Sequence, residues 1–284
     1  MNESLFFRRL LIGATWTWVL FLALVPYVIL LGASLLQPGT DTLVQPTVTM
    51  ANYSHLLSPA VFAMAADSIL LAAVAALLCL MIGYPFAAIM AHAPSKTQPL
   101  LLLLVMIPFW TNSLIRTYAL VMLLKADGLI NALLLQTGLV TEPLQLMYTP
   151  FAVFIGLVYT LLPFMILPLF AALKAVDPKL LEAGRDLGAT RLQNFFRITI
   201  PLTMPGIIAG TMLVFLPALG MFYISDILGG ARTMLLGNYI RDQFLVFRDI
   251  PMGSAASVTM TLAMGLLLLL YYLATRRSGK EMMP

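Results

Sequence analysis

The sequence predicts an all-α integral membrane protein with six spanning helices. Of its 284 residues, 61% are hydrophobic and only 10% are charged, whereas a soluble domain carries about 25% charged residues. So few charges cannot cover a water-facing surface. The apolar residues also gather into runs of the length needed to cross a hydrocarbon core, roughly 20 residues each. The Lys and Arg residues fall mostly in the gaps between those runs, which is the pattern of a topology signal.

Taken in order, the chain reads as one transmembrane domain over residues 1–284. Arg8 and Arg9 precede an uncharged stretch from Leu10 to Thr40. That stretch is too long for the apolar region of a secretory signal, so residues 11–36 are expected to form a first, uncleaved span. Residues 37–66 are polar and rich in turn formers. Residues 68–91 form the second span, and His92 to Gln98 a short connection holding Lys96. The third span, 99–124, is interrupted by Pro108 and a polar run. Residues 150–173, 202–224 and 254–275 are the fourth, fifth and sixth. With the N-terminus inside, eleven of the sixteen Lys and Arg fall in inner segments and four in outer ones, Arg116 lying within a span. The positive-inside rule therefore places both termini in the cytoplasm.

Several functional classes find no support. There is no G-x-x-x-x-G-K-[ST] phosphate loop, so this chain is not expected to bind ATP or Mg²⁺ itself. H-E-x-x-H and G-x-S-x-G are absent too, and nothing supports an enzyme. His55 and His92 sit in different loops with no ligand cluster, so no metal site is expected. Cys79 is the only cysteine, which excludes an internal disulfide. The net charge of +4 is spread through loops as a topology signal, not gathered as a nucleic-acid footprint.

The cytoplasmic stretch 174–201 carries the most information. Asp177 and Pro178 make a strong helix start, as N-cap and first helical residue. Gly188 is a natural stop. The helix predicted over 178–187 places Leu180, Gly184, Leu187 and Arg191 at helical spacing, so one side is apolar and small. It is short, and it carries Glu182 and Asp186, which anionic lipid repels. A groove in a partner protein suits it better than a lipid surface.

Glu182-Ala183-Gly184, three residues, Gly188, nine residues, then Ile198-Thr199-Ile200-Pro201 resembles the EAA loop of the permeases of binding-protein-dependent ABC importers. That motif runs E-A-A, three residues, G, nine residues, I-x-L-P. Gly184 replaces its second Ala, and Ile200 its Leu. The stretches 108–116, 156–165, 200–210 and 225–231 are similar to the spermidine/putrescine branch of that family. The likeness covers nearly the whole chain from residue 50 onward. It implies the type I importer permease (MetI-like) fold, with 174–201 as a coupling loop. Glu182, Ala183, Gly184, Arg185, Asp186 and Gly188 would seat in an ATP-hydrolysing subunit. It further implies a four-part importer that moves polyamines across the bacterial inner membrane. The partners would be a second permease of the PotC type, an ATPase dimer of the PotA type that binds the ATP and Mg²⁺, and a periplasmic binding protein of the PotD type. The rival readings are an importer permease for another small solute, a secondary transporter or channel, and a non-transporting scaffold.

An ionisable residue inside a span is a functional candidate by default. Asn112 and Arg116 share a face four residues apart, just after the helix-weakening Pro108. A polyamine path calls for carboxylates, carbonyls and aromatic faces, the last contributing about 0.5–2 kcal/mol each through cation–π attraction. Trp110, Tyr118, Tyr159, Phe222, Tyr223 and Asp226 meet that demand. Arg116 would repel the substrate unless paired, and Asp226 is the expected carboxylate of a gate. Gly206 and Gly210 form a G-x-x-x-G pattern that could seat the second permease. The mixed charges of 232–253 are expected to meet the binding protein.

Overall fold

The computed structural model describes residues 2–39, 44–230 and 234–280. Six helical runs among them are long and apolar enough to cross a bilayer: Arg9–Ser34, Pro59–His92, Ser113–Gln136, Pro150–Lys174, Arg191–Gly220 and Ile250–Leu273. A shorter apolar run covers Gln98–Trp110.

The helices are α1 (Asn2–Ser34), α2 (Ala51–Leu56), α3 (Pro59–His92), α4 (Gln98–Met106), α5 (Ser113–Leu124), α6 (Leu129–Gln136) and α7 (Pro150–Lys174). They continue as α8 (Pro178–Asp186), α9 (Arg191–Asn194), α10 (Ile200–Gly220), α11 (Phe222–Gly229), α12 (Leu236–Leu245) and α13 (Ile250–Lys280). Two of the expected spans are divided. The stretch 99–124 emerges as α4, a 3₁₀ turn over Ile107–Trp110 and α5. Pro108 removes one N–H from the ladder, and Thr111 is fully extended at φ −93°, ψ 145°. The stretch 202–224 breaks at Met221 (φ −80°, ψ 59°), so Phe222 and Tyr223 begin a separate helix. The second span starts earlier than expected, at Pro59, which places Asp67 inside a helix.

The chain divides into two compact units. One comprises residues up to Phe62 together with Tyr239–Leu267. In it, β1 (Leu36–Gln37) and β2 (Gln45–Val48) form an antiparallel ladder that pairs Leu36 with Val48. Buried Asn52 ties α2 beneath it, donating to the carbonyls of Ser34 and Leu36 at 2.9 Å each.

The other unit comprises Ala63–Asn238 and the residues from Leu268. Helix α7 is its axis: half of its most apolar window is buried, and Leu157, Leu161, Met165 and Leu169 are shielded almost completely. Lipid tails are as apolar as leucine, so close packing holds such helices together. Gly206 and Gly210 supply it. A β-carbon on Gly206 would collide with the Ala172 side chain and lie 2.8 Å from the Pro168 carbonyl oxygen, and one on Gly210 would lie 2.7 Å from Met165 Sδ. The G-x-x-x-G pattern therefore seats α10 on α7 of the same chain. Its expected role against a second permease is corrected by this contact. Tyr84 and Thr203 join α3 to α10 through a buried hydroxyl pair at 3.0 Å. At the same end of the unit, buried Gln98 donates to the carbonyls of Ala91 and Ala93 and accepts from Lys174 Nζ. It thereby ties the ends of α3, α4 and α7.

Gly206→Val is expected to lower the thermal unfolding midpoint in detergent, by an overpacking cost of about 1–3 kcal/mol. Gly220→Ala, where a β-carbon meets nothing within 4 Å, should leave the midpoint unchanged.

Candidate functional site

Helix α8 starts and stops on its own side chains and backbone. Asp177 Oδ1 accepts the Lys179 N–H at 3.0 Å, and Pro178 fills the first helical position. At the other end the Gly188 N–H donates to the Arg185 carbonyl at 2.8 Å, and the Ala189 N–H to the Gly184 carbonyl at 2.9 Å. These are the two bonds of a Schellman stop, which needs a left-handed residue. Gly188 supplies it at φ +83°. Thr190 and Gln193 then form a reciprocal capping box that launches α9.

Asn194 locks the two short helices together. Its Nδ2 donates to the Leu181 carbonyl at 2.9 Å. Its Oδ1 is buried and has no hydrogen-bond partner among the described residues, because Gly184 lies against it. A β-carbon at 184 would sit 2.5 Å from that oxygen and 2.9 Å from Ile198 Cδ1. Past Asn194 the backbone takes one π turn over Phe195–Thr199 and runs directly into α10. Pro201 contributes to this register, since it offers no N–H to the carbonyl four residues back.

Glu182, Ala183, Arg185 and Asp186 are exposed, while Gly184 is buried. The expected stripe of Leu180, Gly184, Leu187 and Arg191 is therefore not one outward face. Gly184 points at Asn194, since helix-to-helix contact within this segment requires a residue without a side chain there. Leu180 and Leu187 stand out instead, at 47% and 88% exposure. Behind α8 a cavity of about 230 Å³ is lined by His92, Arg185, Arg191 and Asn194 among others.

The second cluster surrounds the break in the third crossing. Asn112 caps α5, its Oδ1 accepting the Leu114 N–H at 2.8 Å. One turn on, Arg116 is only 9% exposed. Its guanidinium lies 5.7 Å from the Phe109 ring centroid and 5.8 Å from that of Tyr159. Phe109 is held edge-on by Phe164 at 4.7 Å. The expected pair between Arg116 and Asp226 does not form. Arg116 Nε and Nη1 are buried without hydrogen-bond partners among the described residues, and Asp226 Oδ1 accepts from Asn238 Nδ2. Asp226 sits on α11, whose neighbouring segment supplies that amide more directly. Ser68 Oγ accepts the Leu236 N–H at 2.8 Å, fixing the start of α12 to α3.

Of the expected path residues, the structure brings Arg116 and Tyr159 together. Phe222 and Tyr223 meet edge-on at 6.4 Å on α11, which packs against α5. Trp110 and Tyr118 point away from this unit's interior, at 76% and 59% exposure. Asn194, Phe109 and Asn238 are not among the expected site residues. Asn194 falls in the unspecified nine-residue spacer of the motif. In the 232–253 region, Arg241 Nη2 meets Asp242 Oδ1 at 2.7 Å, and Arg232 lies outside the described residues. A polar cavity of about 450 Å³ there includes His55, Tyr239, Gln243 and Asp249. Burial, then the Asp249 carboxylate, pushes the Tyr239 phenol up, against a hydrogen bond with Gln243. No group of three metal-ligating side chains occurs among the described residues.

Residues 83–283 match the family described as "Binding-protein-dependent transport system inner membrane component". The chain is 47% identical over 281 residues to the spermidine/putrescine transport system permease protein PotB of Salmonella typhimurium (strain SL1344), covering 99% of this chain and 98% of that one. It is 49% identical over 264 residues to the protein of the same name from Escherichia coli (strain K12), covering 93% and 96%. A bacterial alginate ABC transporter, solved with an alginate-bound periplasmic protein, shares the fold at a TM-score of 0.73 and 19% identity, covering 97% of this chain and 95% of that one.

Gly184→Val is expected to open the contact between α8 and α9. Hydrogen–deuterium exchange at the Gly188 and Ala189 amides should rise about tenfold, as a cost of roughly 1–3 kcal/mol for overpacking implies. Ala183→Val, on the exposed side, should leave that exchange unchanged.

Proposed function

The chain belongs to the binding-protein-dependent transport system inner membrane component family, and on that premise we propose that it is one permease half of an ATP-driven polyamine importer. A multi-pass inner-membrane location and a non-enzymatic, transport role follow from membership. The rival readings as a secondary transporter, channel or inert scaffold fall with it. The substrates are spermidine and putrescine, the reading supported by relatives at 47% and 49% identity across nearly the full chain.

The working complex pairs this chain with a second permease of the PotC type. An ATPase dimer of the PotA type binds the ATP and Mg²⁺, and a periplasmic protein of the PotD type delivers the polyamine, meeting the 232–253 region. Both termini lie in the cytoplasm, with 174–201 facing the ATPase. One observation carries this reading: a self-capped helix, α8, stands out from the bundle with Leu187 at 88% exposure, and connects without a flexible linker to α10. An apolar side chain so exposed outside a spanning run is the kind of anchor that fills a partner's cleft.

The mechanism is a relay. Closure of the ATPase dimer displaces α8. Asn194 carries that displacement to α9, and the π turn carries it into α10. Because α10 is interlocked with α7 at Gly206 and Gly210, the two helices rock together. Alternating access to a site near the broken third crossing follows, as in transporters built on interrupted helices. No covalent step involves this chain.

In liposomes holding the complete complex, ATP should drive spermidine uptake that requires the binding protein. Leu187→Asp should weaken ATPase copurification by about tenfold, the ~1.4 kcal/mol of a lost apolar anchor. Uptake without ATP, or full ATPase retention by Leu187→Asp together with Glu182→Lys, would contradict the assignment.

A further inference from the structure

We propose that the cavity between α2, α12 and the start of α13 is a second polyamine site, which holds an ammonium end of the substrate on the outer face before it enters the path. The proposal deepens the polyamine reading above and rests on it. Three observations, all within one compact unit, carry it.

The first is the charge of the lining. The cavity encloses about 450 Å³, within the range of small-ligand pockets, about 300–1,000 Å³. Its described lining includes the Asp249 carboxylate and no Lys or Arg. Of the arginines close by in sequence, Arg241 is engaged with Asp242, and Arg248 is exposed and forms no part of the wall. A negative wall repels phosphate and carboxylate ligands. A divalent metal ion needs about six oxygen ligands or more, and no group of three metal-ligating side chains occurs among the described residues. An organic ammonium suits one carboxylate set among neutral acceptors.

The second is the unspent half of that carboxylate. Asp249 Oδ1 accepts the Met252 N–H at 2.9 Å and so caps α13. No described Lys or Arg pairs with Asp249, and no described donor bonds its Oδ2. Its field is felt across the cavity, because together with burial it pushes the Tyr239 phenol up. The field that disfavours a phenolate there attracts a cation. Tyr239 is only 8% exposed and hydrogen-bonds with Gln243. The three protons of a primary ammonium thus find Asp249 Oδ2, the Tyr239 oxygen and the Gln243 side-chain oxygen as acceptors, the first through a charge-assisted bond.

The third is that the walls are built without a ligand. Asn52 is fixed by its two bonds to the carbonyls of Ser34 and Leu36. Thr49 Oγ1 accepts the Ala51 N–H at 3.1 Å, holding the entry to α2. The Asp249 N–H donates to the Gln243 carbonyl at 2.8 Å. The turn that brings these two residues together carries Arg248 at φ +56°, a left-handed backbone uncommon for a residue with a side chain. A preformed site of this kind spends little binding energy on ordering itself. It also lies on the 232–253 region, where the binding protein gives up its polyamine, so a cation released there is held at the complex.

The test uses the complete complex without binding protein or nucleotide, in nanodiscs of zwitterionic lipid, so that neither a carrier nor an anionic headgroup holds the probe. A putrescine analogue bearing a diazirine is photolysed, and the labelled peptides are mapped. Label is expected on the peptides that hold His55 and Asp249. Excess putrescine should remove it, and butanediol should not. Asp249→Asn keeps the helix cap, since Asn caps as well as Asp, and should raise the half-saturating probe concentration about tenfold. Tyr239→Phe, which loses only the hydroxyl, should raise it about threefold. Absence of label from both peptides, label that putrescine does not displace, or undiminished labelling in Asp249→Asn overturns the proposal. So does an Asp249→Asn complex that labels normally but no longer docks the binding protein, which gives the cavity to a lysine of that protein. Displaceable label in a complex that takes up no polyamine refutes the transport assignment and leaves the ammonium site standing; normal uptake without label does the reverse.

Discussion

The hydrogen bond from Asn194 to the Leu181 carbonyl holds the functional part of this molecule together. Without it, α8 would be a nine-residue helix attached by a glycine turn, and a pull on it would be lost in slack. With it, α8 and α9 form one small rigid body. The absence of a side chain at Gly184 lets the two helices approach closely enough for the bond to form, and the capping box at Thr190 fixes the angle between them. The π turn that follows is continuous helix, so the rigid body ends inside α10. Every later step of the mechanism assumes that this short chain of contacts does not yield.

A second constraint comes from the solvent. In lipid, backbone polar groups must be satisfied within the protein. The third crossing violates a simple helix at Thr111 and again shortly after α5, and the fifth breaks at Met221. Such breaks are costly unless something covers them or water reaches them. They coincide with the polar and aromatic residues Trp110, Asn112, Arg116, Phe222 and Tyr223. The locked pair of α7 and α10 is the opposite case: small residues, close approach and no polar demand, suited to moving as a block.

Much of this was legible before any coordinates. Apolar runs set the number of spans, since composition and length decide crossing. Asp177-Pro178 and Gly188 set both ends of α8 because caps are local chemistry. Side-chain direction was less accessible. Gly184 read as part of an outward patch because spacing alone cannot tell which side of a short helix meets its neighbour. Asn194 was invisible because a spacer in a motif is defined by length, while the bond it makes spans thirteen residues. Arg116 was assigned the wrong partner for a related reason. A charge count names the available acids, but whether Asp226 reaches Arg116 depends on a helix break at Met221 that a uniformly apolar run conceals.

The rigid relay can be tested by electron-resonance distances in the assembled importer. Spin labels at Asp186 on α8 and Leu213 on α10, with buried Cys79 replaced by alanine, report on the relay itself. A second pair, Leu213 and a site on the second permease, reports on the rocking motion. The account predicts that ATP binding leaves the 186–213 distance unchanged and shifts the distance between permeases. A 186–213 distance that changes with nucleotide, while the permeases stay fixed, would contradict it.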